Sequence, residues 1–150
     1  MAVVKKRWGA VLLLVSGSVL LAACDGGDQE RAVVIEEECV TVPAGTVALI
    51  GNQLNLEGNG SIRNAWAVRS SARDSLYFVS AEMDGPFIEG SGHVATWAVN
   101  DLATQGGPVW SISESALEYS NWPNGKTTSV ALSMEMPGAE KSAECVAETQ

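Results

Sequence analysis

The chain reads as an α+β domain in which an antiparallel sheet of four to five strands carries N- and C-terminal helices packed on one of its faces. Two observations predict this class. Apolar residues alternate with period two through the middle of the chain, and they recur at helical spacing near both ends of it.

The first helix is expected from Thr41, Val42 and Pro43 onward. Val47, Ile50 and Leu54 share one helical face, and Pro43 suits a first-turn position. Gly45 and Gly51 weaken that helix, and Gly58 to Gly60 breaks the chain. From Ile62 the period becomes two. Ala65 to Arg69 alternates briefly, and Ser75 to Met83 sets Tyr77, Val79, Ala81 and Met83 against Leu76, Phe78, Ser80 and Glu82. His93 to Asn100 then puts Ala95, Trp97 and Val99 on one face. Ser70 to Asp74 is short enough for a hairpin, and Asp84 to Gly92 is a Gly/Pro loop.

Val109 to Ser113 fits a further short strand. Ser115 with Glu118 three residues on forms a capping box for a helix running through Ala116, Leu117 and Tyr119 to Trp122, which Pro123-Asn124-Gly125 stops. Thr128, Val130, Leu132 and Met134 alternate cleanly with Thr127, Ser129, Ala131 and Ser133, so 128–134 is expected as a half-buried strand. Ala139 to Ala147 closes the domain as a helix with Ala143, Cys145 and Val146 inward.

Ahead of this domain the chain changes character. Lys5, Lys6 and Arg7 form a basic head, Trp8 to Leu20 is apolar apart from Ser16, Gly17 and Ser18, and no charge follows until Asp25. That is the pattern of a secretory leader, since a membrane span needs about 20 apolar residues. Leu21-Ala22-Ala23-Cys24 resembles the lipobox of bacterial lipoproteins. The resemblance implies that the Cys24 thiol receives diacylglycerol and that cleavage leaves Cys24 as the first mature residue. The competing reading is an uncleaved membrane helix with an incidental cysteine. Asp25 directly after the lipid site would imply inner-membrane retention in a two-membrane bacterium, and carries no such message in a one-membrane organism.

Three segments follow: a leader over 1–23, a lipidated acidic tether over 24–38 and a single domain over 39–150. Removing residues 1–23 leaves 127 residues, and the folded part is large enough for one core and too small for two. All three leader cations leave with it, so the mature chain carries six Lys and Arg against 18 Asp and Glu, a net charge of −12. Such a surface repels phosphate backbones, and nucleic acid is excluded as a partner class.

With Cys24 assigned to lipid, Cys39 and Cys145 remain, near the two ends of the domain. Export places them where disulfides persist, and a bridge closing that length restricts the unfolded chain by about 4 to 5 kcal/mol. Two buried free thiols are the alternative.

The stretches "YFVSAEMDG", "EGSGHVATWAVN" and "EYSNWPNG" resemble those of a group of small uncharacterised lipoproteins from actinobacteria, with the likeness spanning Cys39 to Val146. The resemblance implies a domain of that type on a one-membrane cell surface, and supplies no catalytic residue.

Sites for chemistry are sparse. His93 is the single histidine, and Ser91 two residues earlier suggests an envelope hydrolase with Asp101 or Asp84 as orienting acid. The G-x-S-x-G elbow is not met, because Glu89 and His93 stand where its glycines belong. Glu82, Asp84, Glu89 and Asp101 offer hard oxygen ligands for calcium without an EF-hand pattern. Glu36 to Glu38 is a solvated charge run. Phosphate loops, dinucleotide fingerprints and zinc spacings are absent, and no cofactor or metal is expected. Among the aromatics, Trp66, Trp97, Trp110 and Trp122, the last beside the Pro-Asn-Gly turn is expected to be exposed and to contact a partner.

The function expected from these readings is a lipid-anchored, extracytoplasmic, non-catalytic binding or accessory domain. It is held at the membrane through Cys24 and acts on an unknown protein or small ligand. A hydrolase using Ser91 and His93 and an inhibitory or structural partner-binding protein are the two alternatives.

Overall fold

In the computed structural model, the described residues are 37–56, 60–86, 88, 93–103 and 107–149. The leader, Cys24 and the tether as far as Glu36 lie outside them.

Five strands form one sheet in the order β1 (Val40–Thr41), β2 (Ser61–Arg69), β3 (Tyr77–Asp84), β4 (Val94–Val99) and β5 (Val109–Ser111), every neighbouring pair antiparallel. Helix α1 (Ala44–Gly51) lies between β1 and β2, α2 (Glu114–Tyr119) follows β5, and α3 (Ala139–Glu148) closes the chain. The architecture is α+β, as the alternation predicts.

The register sorts side chains onto two faces. Ala67, Val79, Trp97 and Ser111 are successive cross-strand neighbours on the first; Val68, Phe78, Ala98 and Trp110 are neighbours on the second. Ile50 of α1 and Ala116 of α2 join the first-face core around Trp97, while Ala139 of α3 and Leu132 join the second around Phe78. Helices therefore cover both faces, where the sequence suggests one. The reason lies in β3 and β4, whose second-face residues Ser80 and Thr96 are small polar groups that look solvated in a sequence. Here their hydroxyls bond each other at 2.8 Å, and Ser80 also meets Ser142 of α3 at 2.7 Å, so both are fully buried at little cost.

Local chemistry sets the helix ends. The Pro43 carbonyl accepts from the amides of Thr46 and Val47, opening α1 one residue after the proline. In α2 the cap is Ser113, whose Oγ accepts from the Ala116 amide at 3.1 Å; the expected box at Ser115 and Glu118 lies inside the helix. Gly138 opens α3 at φ +94°, where a side chain would be strained and a Cβ would meet Arg69 O and Val68 Cγ1 at 3.2 Å. Along the outside of α3, Lys141 reaches Glu148 at 3.2 Å and Glu144 at 3.3 Å, and these carboxylates hold its ammonium pKa above the ordinary lysine value.

One expected strand is absent. Residues 128–134 form turns: Leu132 N donates to Gly125 O at 3.0 Å, Ala131 N to Thr128 O at 3.0 Å, and Ala131 takes φ 47°. Leu132 is buried, yet Val130 is 36% exposed, so the alternation does not mark a sheet face. The edge it would extend is already engaged, because Ser111 N donates to Pro123 O at 2.9 Å. Gly125 permits the fold-back, since a Cβ there would stand 2.8 Å from Ile112 Cγ2 and 2.9 Å from Leu132 O. The fifth strand is instead β1, two residues long.

β2 carries a bulge. Arg63 pairs with Glu82 and Trp66 with Ser80, leaving Asn64 and Ala65 opposite one residue, and Asn64 adopts φ 48°. Its amide nitrogen donates to Glu82 Oε1 and Val146 O, both at 3.1 Å, while its Oδ1 accepts from Trp66 Nε1 at 2.9 Å and Thr149 Oγ1 at 3.0 Å. The bulge thus latches the C-terminal end of α3. Cys39 and Cys145 are bridged beside it, with Cα atoms 5.9 Å apart and a separation of 106 residues.

Two stability outcomes follow. Replacing both bridged cysteines by serine is expected to lower unfolding free energy by about 4 to 5 kcal/mol, measured as a shift in urea midpoint. Asn64→Ala is expected to cost about 2 to 4 kcal/mol, combining lost hydrogen bonds with left-handed strain. Asn64→Gly should recover about 1 kcal/mol of that, because glycine removes the strain alone.

Candidate functional site

The sequence-predicted chemical residues do not converge among the described residues. Ser91 and Glu89 lie outside the described segments. His93 is half-buried, and its carbonyl accepts from Met83 N at 2.9 Å, carrying the β3–β4 ladder one residue past β4. Glu82 is held by Arg63 Nε at 3.1 Å and by Asn64, with its side chain 10% exposed. Asp84 is exposed at the end of β3, and Asp101 Oδ1 accepts from Ala103 N at 2.8 Å within its own loop. Among the described residues no group of three or more His, Cys, Asp or Glu is placed to hold a metal ion.

The tryptophans separate more clearly. Trp97 is fully buried, and its indole N–H donates to Ser120 Oγ at 3.3 Å. Ser120 and Ser111 hydroxyls meet at 2.9 Å, and Ser120 Oγ donates to Ala116 O at 2.6 Å, so β4, β5 and α2 share one buried network. The Trp66 N–H is spent on Asn64. Trp122, expected to be exposed, is half-buried against the first-face core, with its N–H directed to Ile50 O at 3.3 Å. The physical reason is that the chain after α2 crosses back over α1: Asn55 N donates to Tyr119 O and Asn121 N to Gln53 O, both at 2.8 Å, which brings Trp122 onto the helix.

Trp110 differs from these three. It is half-buried on the second face, packed against the Phe78–Leu132 cluster, and its indole N–H has no hydrogen-bond partner among the described residues. It lines a cleft of about 430 Å³ between the β2–β3 hairpin and the turn after residue 127, together with Leu76 and Leu132. Arg73, Asn100 and Ser129 stand at the rim.

Two other clefts frame the comparison. One of about 240 Å³ lies on the tether side of the same hairpin, lined by Glu38, Val40 and Tyr77, with Arg69 paired to Asp74 at 3.3 Å. Another of about 640 Å³ is bounded by Glu114, Lys126 and Glu135 and has no aromatic lining.

Comparison with protein-family models, curated proteins and solved structures gives no match to this chain.

Sequence reasoning missed Trp110. Its neighbours Val109 and Ser111 mark a strand without indicating which tryptophan keeps an unused donor. The signal that could have found it is the register: Trp110 is opposite Ala98, too small to cover an indole.

Indole N–H exchange with solvent should follow this ranking. In NMR spectra of the protein, Trp97 is expected to exchange slowest and Trp110 fastest of these four, by at least about tenfold if the Trp97 network opens only with larger unfolding. Equal protection at both would contradict the assignment.

Proposed function

We propose that this protein is a lipid-anchored, extracytoplasmic binding or accessory domain, attached through Cys24 and acting without catalysis of its own. The basic head, short apolar body and Leu21-Ala22-Ala23-Cys24 support the anchor. The observation that carries the reading is the Cys39–Cys145 bridge, the first feature of the fold after the tether. A bridge of this kind persists in an oxidising, exported setting, which a lipoprotein leader supplies.

The fold suits attachment from that end. Force along the tether arrives at Cys39, and the bridge passes it to α3 instead of leaving it on the two residue pairs of β1. Lipid supplies the hold on the membrane, where two or more acyl chains are stable and one is marginal. The net charge of −12 disfavours electrostatic adhesion to anionic headgroups, so the acyl chains carry the attachment.

A binding role accords with the distribution of spent and unspent groups. The buried polar side chains among the described residues are satisfied internally, whereas Trp110, Arg73, Asn100 and Ser129 line a cleft.

Fractionation and intact mass test the anchor. The wild-type protein is expected with membranes, at the mass of residues 24–150 plus acyl chains, and to gain two hydrogens on reduction of its bridge. Cys24→Ser should move the protein to the soluble fraction or leave it unprocessed at full-length mass. Membrane association and mass unchanged by that substitution would remove the lipid from the reading.

A further inference from the structure

We propose that the Trp110 cleft binds a ring of a neutral saccharide, with the indole as its stacking platform. This rests on the reading of the chain as a binding domain, and adds a location and a ligand class.

A pyranose ring presents two kinds of surface. Its C–H face is apolar and flat, and its edge is a row of hydroxyls that each donate and accept. The cleft offers a counterpart to each. Trp110, Leu76 and Leu132 supply an apolar floor, and Val130, 36% exposed, an apolar wall. At the rim, the side chains of Arg73, Asn100 and Ser129 make no hydrogen bond or ion pair among the described residues, so a ligand need not displace an internal partner to reach them. Arg73 brings donors only, Asn100 both donors and an acceptor, and Ser129 a hydroxyl that serves either way.

The indole argues for the same ligand class. An aromatic with an apolar body and a polar handle suits a surface that is apolar on one side and wet on the other. Three of the four described tryptophans have committed their N–H inside the fold; Trp110 has not. A purely hydrocarbon ligand would cover the indole N–H and the rim amide without bonding either, and burying such groups unpaired is unfavourable.

Size and charge narrow the choice. A volume of about 430 Å³ falls in the usual range for small-molecule clefts, about 300 to 1,000 Å³, and accommodates one or two sugar rings. Arg73 and Asp74 bring one charge of each sign to the cleft, Asp74 being held by Arg69 at 3.3 Å, and a net charge of −12 on the mature chain disfavours polyanions. The tether-side cleft is smaller, and its arginine is already paired with Asp74. The cleft of about 640 Å³ lacks an aromatic platform.

The test is an NMR titration of the purified mature protein with maltose, cellobiose and N,N′-diacetylchitobiose, following the indole N–H signals and the backbone amides of the cleft residues, which also report binding by the Trp110 variants, with cyclohexanol as an apolar control. At least one disaccharide is expected to shift the Trp110 signal saturably, with cyclohexanol weaker. Trp110→Ala should reduce affinity by about tenfold or more, and Asn100→Ala severalfold. Trp110→Phe, which keeps a ring and loses the N–H, should bind with intermediate affinity. If Trp110→Ala does not fold, Trp110→Phe and the exposed Asn100→Ala decide the question. No shift at Trp110 with any of the three sugars, a shift that survives these substitutions unchanged, or equal binding of cyclohexanol would overturn the proposal. The result is independent of membrane fractionation: failed sugar binding by a membrane-anchored protein removes this cleft alone, and a soluble wild-type protein removes the anchor alone.

Discussion

The bond between Cys39 and Cys145 joins the first strand of the sheet to the helix covering its second face, and much of the architecture depends on that link. β1 contributes two residue pairs, Val40 with Ala67 and Thr41 with Trp66, too few to hold a chain end by hydrogen bonds alone. Helix α3 has ten residues, shorter than an isolated helix needs to persist in water. Cross-linking two elements that are each marginal makes their docking effectively intramolecular. The Asn64 bulge then fixes the helix end with two side-chain hydrogen bonds, to Val146 O and from Thr149, while two more, to Glu82 and from Trp66, hold the asparagine itself.

Covering both faces of a small sheet carries a second constraint, since polar groups must go inside with the apolar ones. Hydroxyls solve it on each side. Ser80, Thr96 and Ser142 join β3, β4 and α3 on the second face; Ser111 and Ser120 join β5 to the end of α2 and reach the Trp97 indole on the first. Among the described residues no buried side-chain nitrogen or oxygen lacks a partner. Small hydroxyls leave room for close approach of a helix and fix its register, because sliding α3 would separate Ser142 from Ser80. A one-residue slip would thus break a buried bond as well as misplace Val146 and Ala139, which gives the arrangement a sharper preference than apolar contact alone.

The parts of this fold that the sequence makes legible are those where side-chain polarity follows the period of the element, although burial in β3 and β4 is nearly continuous. β3 and β4 alternate because a face of Val79, Ala81 and Trp97 is packed by α1 and α2, and the closing helix shows through Ala139, Ala143 and Val146 at helical spacing. The Cys39–Cys145 pair stands as expected near the two ends of the domain. Failures occur where a distant contact overrides a local pattern. The stretch 128–134 alternates as a strand would, yet Gly125 draws Leu132 back onto itself and β5 has no free edge at Ser111. The α2 cap falls at Ser113 because its Oγ also accepts from the Thr96 amide at 3.0 Å, a contact across the sheet that a capping pattern cannot contain. β1 has no periodic signature at two residues. Trp122 and Trp110 exchange roles for a similar reason: the turn beside Trp122 suggests exposure, but the return over α1 encloses it, while Trp110 stands opposite an alanine.

Topology separates the two ends on which the functional reading rests. Tether and bridge enter at β1, one edge of the sheet, and Trp110 belongs to β5, the other edge. Four strand spacings of about 4.8 Å put these edges about 19 Å apart. The proposed attachment and the proposed recognition would therefore draw on different residues: the first on the bridge and the second-face helix, the second on a hairpin, a turn and one indole. On the proposed anchor, pull on the tether would pass through the bridge to α3, which is fastened at Asn64 and Ser142. The proposed ligand cleft would keep its shape under such load as long as the bridge holds. Losing the bridge would transfer that load to β1 and the first residues of the sheet, and only then to the hairpin that forms one wall of the cleft.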